Sequence, residues 1–328
     1  MRLPTRTIAV TLLAAVTAFP TAGMAAVSRL RYGQNAASAH DISTLPQTVA
    51  IRKGFFTREG LALDVVPTGA FDLVGALENG NIDISRIATP YLVEAVVKGS
   101  DLVAIASQTA NPVYSLVARP EIARFADLKG KLLGLSIPVD TITLVMRKLM
   151  ALNGVPNHDY RVKAVVGTVA RFACLKSGEC AAVPMRAPDD REAEQSGFRR
   201  LGVSTAAGDL VFNVDMVQRA WGQAHEETLV RYVRAMASSF MFINDPANRN
   251  ETAQIIADLT GAPADVAQEV LAPYLDPAQR VLPRQGEINL RGVGEVINLM
   301  VEGGVIPAPA PPAASLVDLR YLQAAGIR

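Results

Sequence analysis

Hydrophobic and polar positions between residues 45 and 107 fall into three successive units of helix, glycine stop and strand. In the first, Pro46 suits the opening turn of a helix, because its fixed φ fits there and its missing N–H is not required. Gly54 can close that helix in the left-handed region at no Cβ cost. Phe55-Phe56 is an aromatic anchor, Glu59-Gly60 a tight turn, and the apolar run Leu61 to Val66 predicts a buried strand. In the second unit Leu73, Val74 and Leu77 recur at helical spacing, Gly80 stops the helix, and Ile82-Asp83-Ile84 predicts a strand. In the third, Thr89 is an N-cap candidate ahead of Pro90, Gly99 ends the helix, and Leu102 to Ala106 is an apolar strand. Short strands alternating with helices of about ten residues predict an α/β fold, with a mostly parallel sheet and helices on both faces. In such sheets ligands sit beyond the carboxyl ends of the strands, where helix N-termini converge.

The alternation resumes after a break. Residues 108–114 join the strand at Leu102 to another at Ser115 to Ala118, and this segment is the expected first crossover into a second lobe. There Leu132 to Leu135, Val162 to Val166, Ala181 to Met185 and Phe198 to Val203 predict strands. Helices are expected from Thr141 to Asn153, after Gly167-Thr168, and from Pro188 to near Gly197. Residues 204–212 return the chain, so the expected lobes are 27–110 with 209–328, and 111–208. Leu229, Val233, Met236 and Phe240 mark a helix from His225 to Asn244. Further helices follow, one over Ile288 to Glu302 interrupted by Gly292 and Gly294, then a proline-rich arm at 307–312 and an amphipathic segment from Leu316 to Ala325. All of these are expected to pack on the first lobe.

Composition narrows the setting. Arg2 and Arg6 precede the apolar run Ile8 to Phe19, and Ala22 to Ala26 supplies small residues, which is the pattern of a secretory signal peptide cleaved near Ala25 or Ala26. No later stretch is long and apolar enough to cross a bilayer. Loss of Arg2 and Arg6 turns the formal net charge of +1 into −1, and a near-neutral chain is a poor partner for nucleic acid. The 328 residues are enough for two lobes. The two cysteines, Cys174 and Cys180, flank one predicted turn; in an exported chain they are either a disulfide closing a very short loop or two buried thiols.

Catalytic templates fit poorly. His40, His158 and His225 are the only histidines and none forms an H-x-x-H pair. Gly134 to Pro138 fails as a nucleophile elbow at its last glycine, and Gly130-Lys131-Leu132 fails as a phosphate loop. Gly292 to Ile297 lacks the third glycine of a dinucleotide fingerprint. No cofactor is expected. Binding chemistry is better supplied. The polar loop after the first strand, Asn35 to Ser43, is a natural ligand-contact segment and offers Asn35, Ser38, His40 and Asp41, with His40 a contact or a mere surface or capping group. Helix N-termini near Phe71, Thr89, Thr141 and Pro188 offer free N–H donors to a carboxylate, sulfonate or phosphate. Phe71 either stacks on a ligand or packs in the core. Asn111 lies in the first crossover, and Met185 and Arg186 lie at the mouth of a second-lobe strand. Arg186 is a bidentate oxyanion contact or an exposed surface arginine. Asp140 is a helix cap, or a sign of an amino-bearing ligand.

The segments Lys53-Gly54-Phe55-Phe56-Thr57-Arg58-Glu59-Gly60-Leu61, Ala76-Leu77-Glu78-Asn79-Gly80-Asn81-Ile82-Asp83 and Asp127-Leu128-Lys129-Gly130-Lys131 together resemble signatures of periplasmic substrate-binding proteins that serve ABC importers. The branch resembled handles sulfonates, taurine, nitrate and the thiamine pyrimidine precursor. The likeness runs from about Tyr32 to Asn244 and departs at Ala181, where an aspartate would stand in the second-lobe echo of the motif. It implies a two-lobed, non-catalytic, monomeric protein that closes on a small organic ligand and delivers it to a membrane permease and its ATPase. An enzyme on the same fold, related to thiamine-pyrimidine synthases, and a sensor module are the alternatives. A cysteine/histidine cluster would mark the first, and a receptor partner the second.

Overall fold

The computed structural model describes residues 27–36, 39–69 and 72–327, so the expected signal peptide lies outside the described residues. The chain opens with β1 (Ser28–Asn35), α1 (Leu45–Arg52), a single-turn α2 (Phe55–Arg58) and β2 (Leu61–Thr68). It continues through α3 (Leu73–Glu78), β3 (Ile84–Ala88), α4 (Thr89–Val97) and β4 (Leu102–Thr109). The second lobe holds β5 (Ser115–Ala118), β6 (Leu132–Leu135), α5 (Thr141–Leu152), β7 (Arg161–Ala164), α6 (Thr168–Lys176), β8 (Ala182–Met185), α7 (Asp189–Gln195) and β9 (Arg199–Val203). The chain then returns as β10 (Asn213–Gln218), followed by α8 (Arg219–Ala224), α9 (Glu226–Asn244), α10 (Arg249–Thr260), α11 (Ala264–Leu275), α12 (Leu290–Glu302) and α13 (Arg320–Ala324).

Two five-stranded sheets result, in the orders β2-β1-β3-β10-β4 and β7-β6-β8-β5-β9. Both are mixed, with four strands running one way as expected and a fifth reversed, for a topological reason. Each crossing leaves one lobe at the carboxyl end of a strand and enters the other at the same edge. The entering strand therefore runs against its neighbours: β5 is antiparallel to β8 and β9, and β10 is antiparallel to β3 and β4. The remaining pairs, β1 with β2 and β3 and β6 with β7 and β8, are parallel.

The local punctuation acts largely as its chemistry dictates. Pro46 sits in the first turn of α1, and Gly54 at φ 67° separates α1 from α2. Thr89 differs: Ala88 is the N-cap of α4, while the buried Thr89 backbone N–H donates to the carbonyl of Phe212 on the return crossing, 2.9 Å away. The run from Leu61 is an edge strand paired with β1 alone, with Val65 40% exposed, because no second neighbour covers it. The second-unit strand begins at Ile84; Asp83 before it accepts from the Arg31 backbone N–H at 2.8 Å and pairs with the Arg31 guanidinium. The last amphipathic segment divides into a 3-10 turn at Ala313–Leu316, an isolated bridge from Val317 to Ala104, and α13.

The first-lobe core centres on the face of the sheet covered by α9. Tyr32, Tyr232 and Phe56 stack there, with centroids 6.4 Å and 5.6 Å apart. Burial on this scale supplies the main driving force of the fold. A separate second-lobe cluster gathers Val117, Phe172, Leu175, Val183 and Met185 around the disulfide that joins Cys174 to Cys180, with Cα atoms 5.3 Å apart. Helix α12 is continuous through both glycines and touches α4 of the first lobe and α5 of the second, where Lys148 Nζ meets Glu295 at 2.5 Å. The C-terminal helices thus rest on the first lobe except α12 and α11, which reach both, the latter through Glu269 paired with Arg191 of α7.

The two crossings lie side by side and bond to each other. Phe212 N–H donates to the carbonyls of Thr109 and Ala110, at 2.9 and 2.8 Å, and Leu210 N–H donates to the Asn111 side-chain oxygen at 2.9 Å. Ser204 accepts from the Tyr114 N–H at 2.9 Å while its own N–H donates to the Tyr114 carbonyl at 2.8 Å. A loop after α11 braces the pair, since the Asn111 side-chain amide donates to the Gln279 carbonyl at 3.1 Å.

Candidate ligand-binding cleft

A cavity of about 610 Å³ lies between the lobes, at the carboxyl ends of both sheets. Its first-lobe wall comes from the loop after β1 (Asn35, Asp41, Ile42, Ser43), the end of β3 (Arg86, Ile87, Ala88) and Tyr91 on α4. Its second-lobe wall comes from Ser136, Ile137, Asp140 and Ile142 at the start of α5, and from Arg186 and Ala187 after β8. The crossings contribute Thr109, Pro112, Val113, Tyr114, Phe212 and Asn213, and α11 contributes Val270, Pro273 and Tyr274. The volume is that of sites for small organic molecules, and the lining is mainly apolar with a few placed polar groups.

Arg186 reaches across the cleft and pairs with Asp41, whose other carboxylate oxygen caps the turn at Ile42–Thr44 through the Ser43 N–H, 2.8 Å away. Burial works against the Arg186 charge, but Tyr114 and Asp41 outweigh it and its pKa is raised. Asp140 is the N-cap of α5: it accepts from the Ile142 N–H at 3.0 Å and from the Ser136 hydroxyl at 2.7 Å. The phenol of Tyr91 is pushed up to about 12, by burial first and then by Asp140 and Glu94. Burial also raises Tyr114 and Tyr274, with Asp41 adding to the rise in both. All three hydroxyls therefore stay protonated at neutral pH and can donate as well as accept.

Beneath the first-lobe wall sits Asp215 on β10. It is fully buried and accepts from Gln108 Nε2 at 2.6 Å, from the Tyr232 hydroxyl at 2.9 Å and from the Tyr32 hydroxyl at 3.4 Å. Burial raises its pKa to about 6, while those bonds and the charge of Arg86 pull the other way. Arg86 lies directly opposite Asp215 in the β3–β10 register.

Of the residues expected from the sequence, Asn35, Asp140 and Arg186 are brought together on the cavity wall. Thr89, Asn111, Thr141 and Met185 are buried in the lobes or the hinge, off the wall, and His40 is exposed beside the loop that carries Asp41. Ser38 and Phe71 lie outside the described residues. The helix N-termini offer less than their spacing implies. That of α5 is capped by Asp140, that of α4 begins with Thr89 bonded to Phe212 and with Pro90, which has no N–H, and α3 and α7 are short. Asp41 stands on the wall within the loop expected to contact a ligand, whereas Arg86, Tyr91, Tyr114 and Tyr274 were not expected there. Arg86 had a weak signal: it is a charged residue between Ile84 and Ile87 in a strand that lies inside the first sheet.

Comparison with known proteins decides the family. The family model described as "NMT1/THI5 like" matches residues 42–247. The chain belongs to the NMT1/THI5-like family. A curated relative, YtlA of Bacillus subtilis (strain 168), is named as a candidate binding protein; it is 24% identical over 249 residues, which cover 72% of this chain and 73% of that one. Among solved structures, the periplasmic aliphatic sulphonate binding protein SsuA of Escherichia coli superposes with a TM-score of 0.72 at 16% identity, covering 90% of this chain and 99% of that one. The periplasmic nitrate-binding protein NrtA of Synechocystis PCC 6803 gives 0.72 at 15%, covering 92% and 89%. The desulfurization enzyme DSZB gives 0.60 at 14%, covering 91% and 98%. The fold of this NMT1/THI5-like chain is that of the two-lobed periplasmic binding proteins, and the same fold also carries an enzyme.

Proposed function

We propose that this chain is the solute-binding component of an ABC importer, which takes a small organic anion, a carboxylate or sulfonate, between its lobes and hands it to a membrane permease driven by an ATPase. The observation that carries the reading is the inter-lobe cavity itself: an apolar chamber at the carboxyl ends of two sheets, with a guanidinium from each lobe on its wall. Family membership and the shared fold support it. Among the described residues no helix is long and apolar enough to cross a membrane. The Arg2-to-Ala26 pattern supports export to the periplasm. In this reading residues 27–110 with 209–328 and residues 111–208 are two bodies that close about the bonded crossings.

Thermal denaturation against a panel of carboxylates and sulfonates, each paired with its neutral amide, tests this. At least one acid should stabilise the protein by about 2.7 kcal/mol at 100 times its Kd, while its amide does not. Stabilisation by neutral compounds alone would reject the anion. A compound consumed during incubation would favour the enzyme reading, which the likeness to DSZB supports.

A further inference from the structure

The two guanidinium groups on the cavity wall are not equivalent. Arg186 is held by Asp41 from the opposite lobe. Arg86 is 7% exposed, its buried Nε has no hydrogen-bond acceptor, and no ion pair to it occurs among the described residues. The carboxylate facing it, Asp215, is turned to Gln108, Tyr232 and Tyr32. Within the folded chain the Arg86 charge is offset by Asp215 across the strand pair but not met by a hydrogen-bonded carboxylate, which leaves its pairing capacity free for a ligand. A guanidinium is also suited to bidentate pairing with a planar carboxylate or with two sulfonate oxygens.

The rest of the wall defines what that anion can be attached to. Both carboxylates on it are engaged, Asp41 with Arg186 and Ser43, and Asp140 with Ser136 and Ile142. A ligand ammonium would have to displace one of them, which disfavours amino acids and aminosulfonates. Ile42, Leu73, Ile87, Ile142, Val270 and Phe212 surround a volume of about 610 Å³, far more than an inorganic anion fills. Resting on the reading that the cleft holds the transported solute, we propose that Arg86 is the residue that binds the anionic group, and that the site selects monoanions with an aromatic or branched apolar body, of the arylcarboxylate or arylsulfonate class. Arg186 with Asp41 then closes the cleft over the ligand without choosing it.

Isothermal titration with phenylacetate, benzenesulfonate, phenylacetamide and taurine tests both halves on wild-type protein and on Arg86→Gln, Arg86→Lys and Arg186→Gln. One of the aryl acids should bind at least tenfold more tightly than taurine or the amide. Arg86→Gln should weaken that acid by about 10- to 100-fold without changing the amide, and Arg86→Lys should recover part of the loss. Because the Arg86 charge also offsets that of Asp215, the ligand-free melting temperature does not discriminate, and circular dichroism of ligand-free Arg86→Gln should match wild-type protein, so that lost affinity is not lost fold. Unchanged acid affinity in Arg86→Gln would overturn the assignment and leave the anion reading of the cleft standing. Tighter binding of taurine would overturn the ligand class. Failure of every acid on wild-type protein would overturn both this proposal and the reading it rests on.

Discussion

Asp215 shows how a single buried group couples the first-lobe core to the cleft. Its folded-state pKa of about 6 stands above the ordinary 3.8, with burial the first cause. Below about pH 4 both the folded and unfolded forms hold the proton. As pH rises, the unfolded form releases it first, so Asp215 lowers stability progressively until pH passes about 6. The gap corresponds to on the order of 3 kcal/mol. Urea denaturation between pH 4 and 7 should show that fall for wild-type protein relative to Asp215→Asn, which has no proton to release; parallel pH profiles would refute it. At this scale the sequence was only partly readable. Strand ends locate loops, which is why Asn35, Asp140 and Arg186 were found on the wall. Periodicity does not say which way an end residue points, and Thr89, Asn111, Thr141 and Met185, also at element ends or in the crossover, turn inward. Arg86 escaped because a strand pattern absorbs one polar residue without asking why it is there.

Among the elements, α2 and α8 were not anticipated, and β10 was the strand hidden from the pattern. Asn213-Val214-Asp215-Met216-Val217-Gln218 alternates polar and apolar residues like a solvent-facing strand, yet it runs down the middle of the first sheet, where Asp215 is satisfied by Gln108, Tyr32 and Tyr232. The helix–glycine–strand units were legible because each uses local chemistry alone. Helix α12 was read as interrupted because its two glycines look alike in sequence, and they are not alike in space. A Cβ on Gly292 would stand 2.8 Å from the backbone carbon and oxygen of Leu210 on the return crossing, whereas one on Gly294 would meet nothing within 4 Å. Gly292→Ala should therefore cost about 1–3 kcal/mol, as overpacking against backbone does. Gly294→Ala should stabilise by about 0.5–1 kcal/mol through helix propensity. Denaturant midpoints of the two variants should move in opposite directions, and equal shifts would contradict the close approach.

For the whole molecule, the resemblance carried by motifs in both lobes anticipated two lobes and a cleft, while the mixed sheets follow from chain entry at the cleft edge, which no local pattern records. Across the cleft run Arg186–Asp41, Arg191–Glu269 from α7 to α11, and Lys148–Glu295 from α5 to α12. Partly exposed pairs of this kind contribute about 0–1 kcal/mol each. In the proposed reading, a ligand that contacts both lobes can therefore govern the balance between open and closed forms, since its differential affinity sets the shift. That is the central claim, and native mass spectrometry addresses it most directly. The purified chain, incubated with the aryl and alkyl acids and their neutral amides, is sprayed intact and then denatured to release whatever it holds. One acid should be retained as a single molecule per chain and recovered with its mass unchanged, and its amide should not be retained. Retention of no acid, or release of a compound of altered mass, would contradict the account.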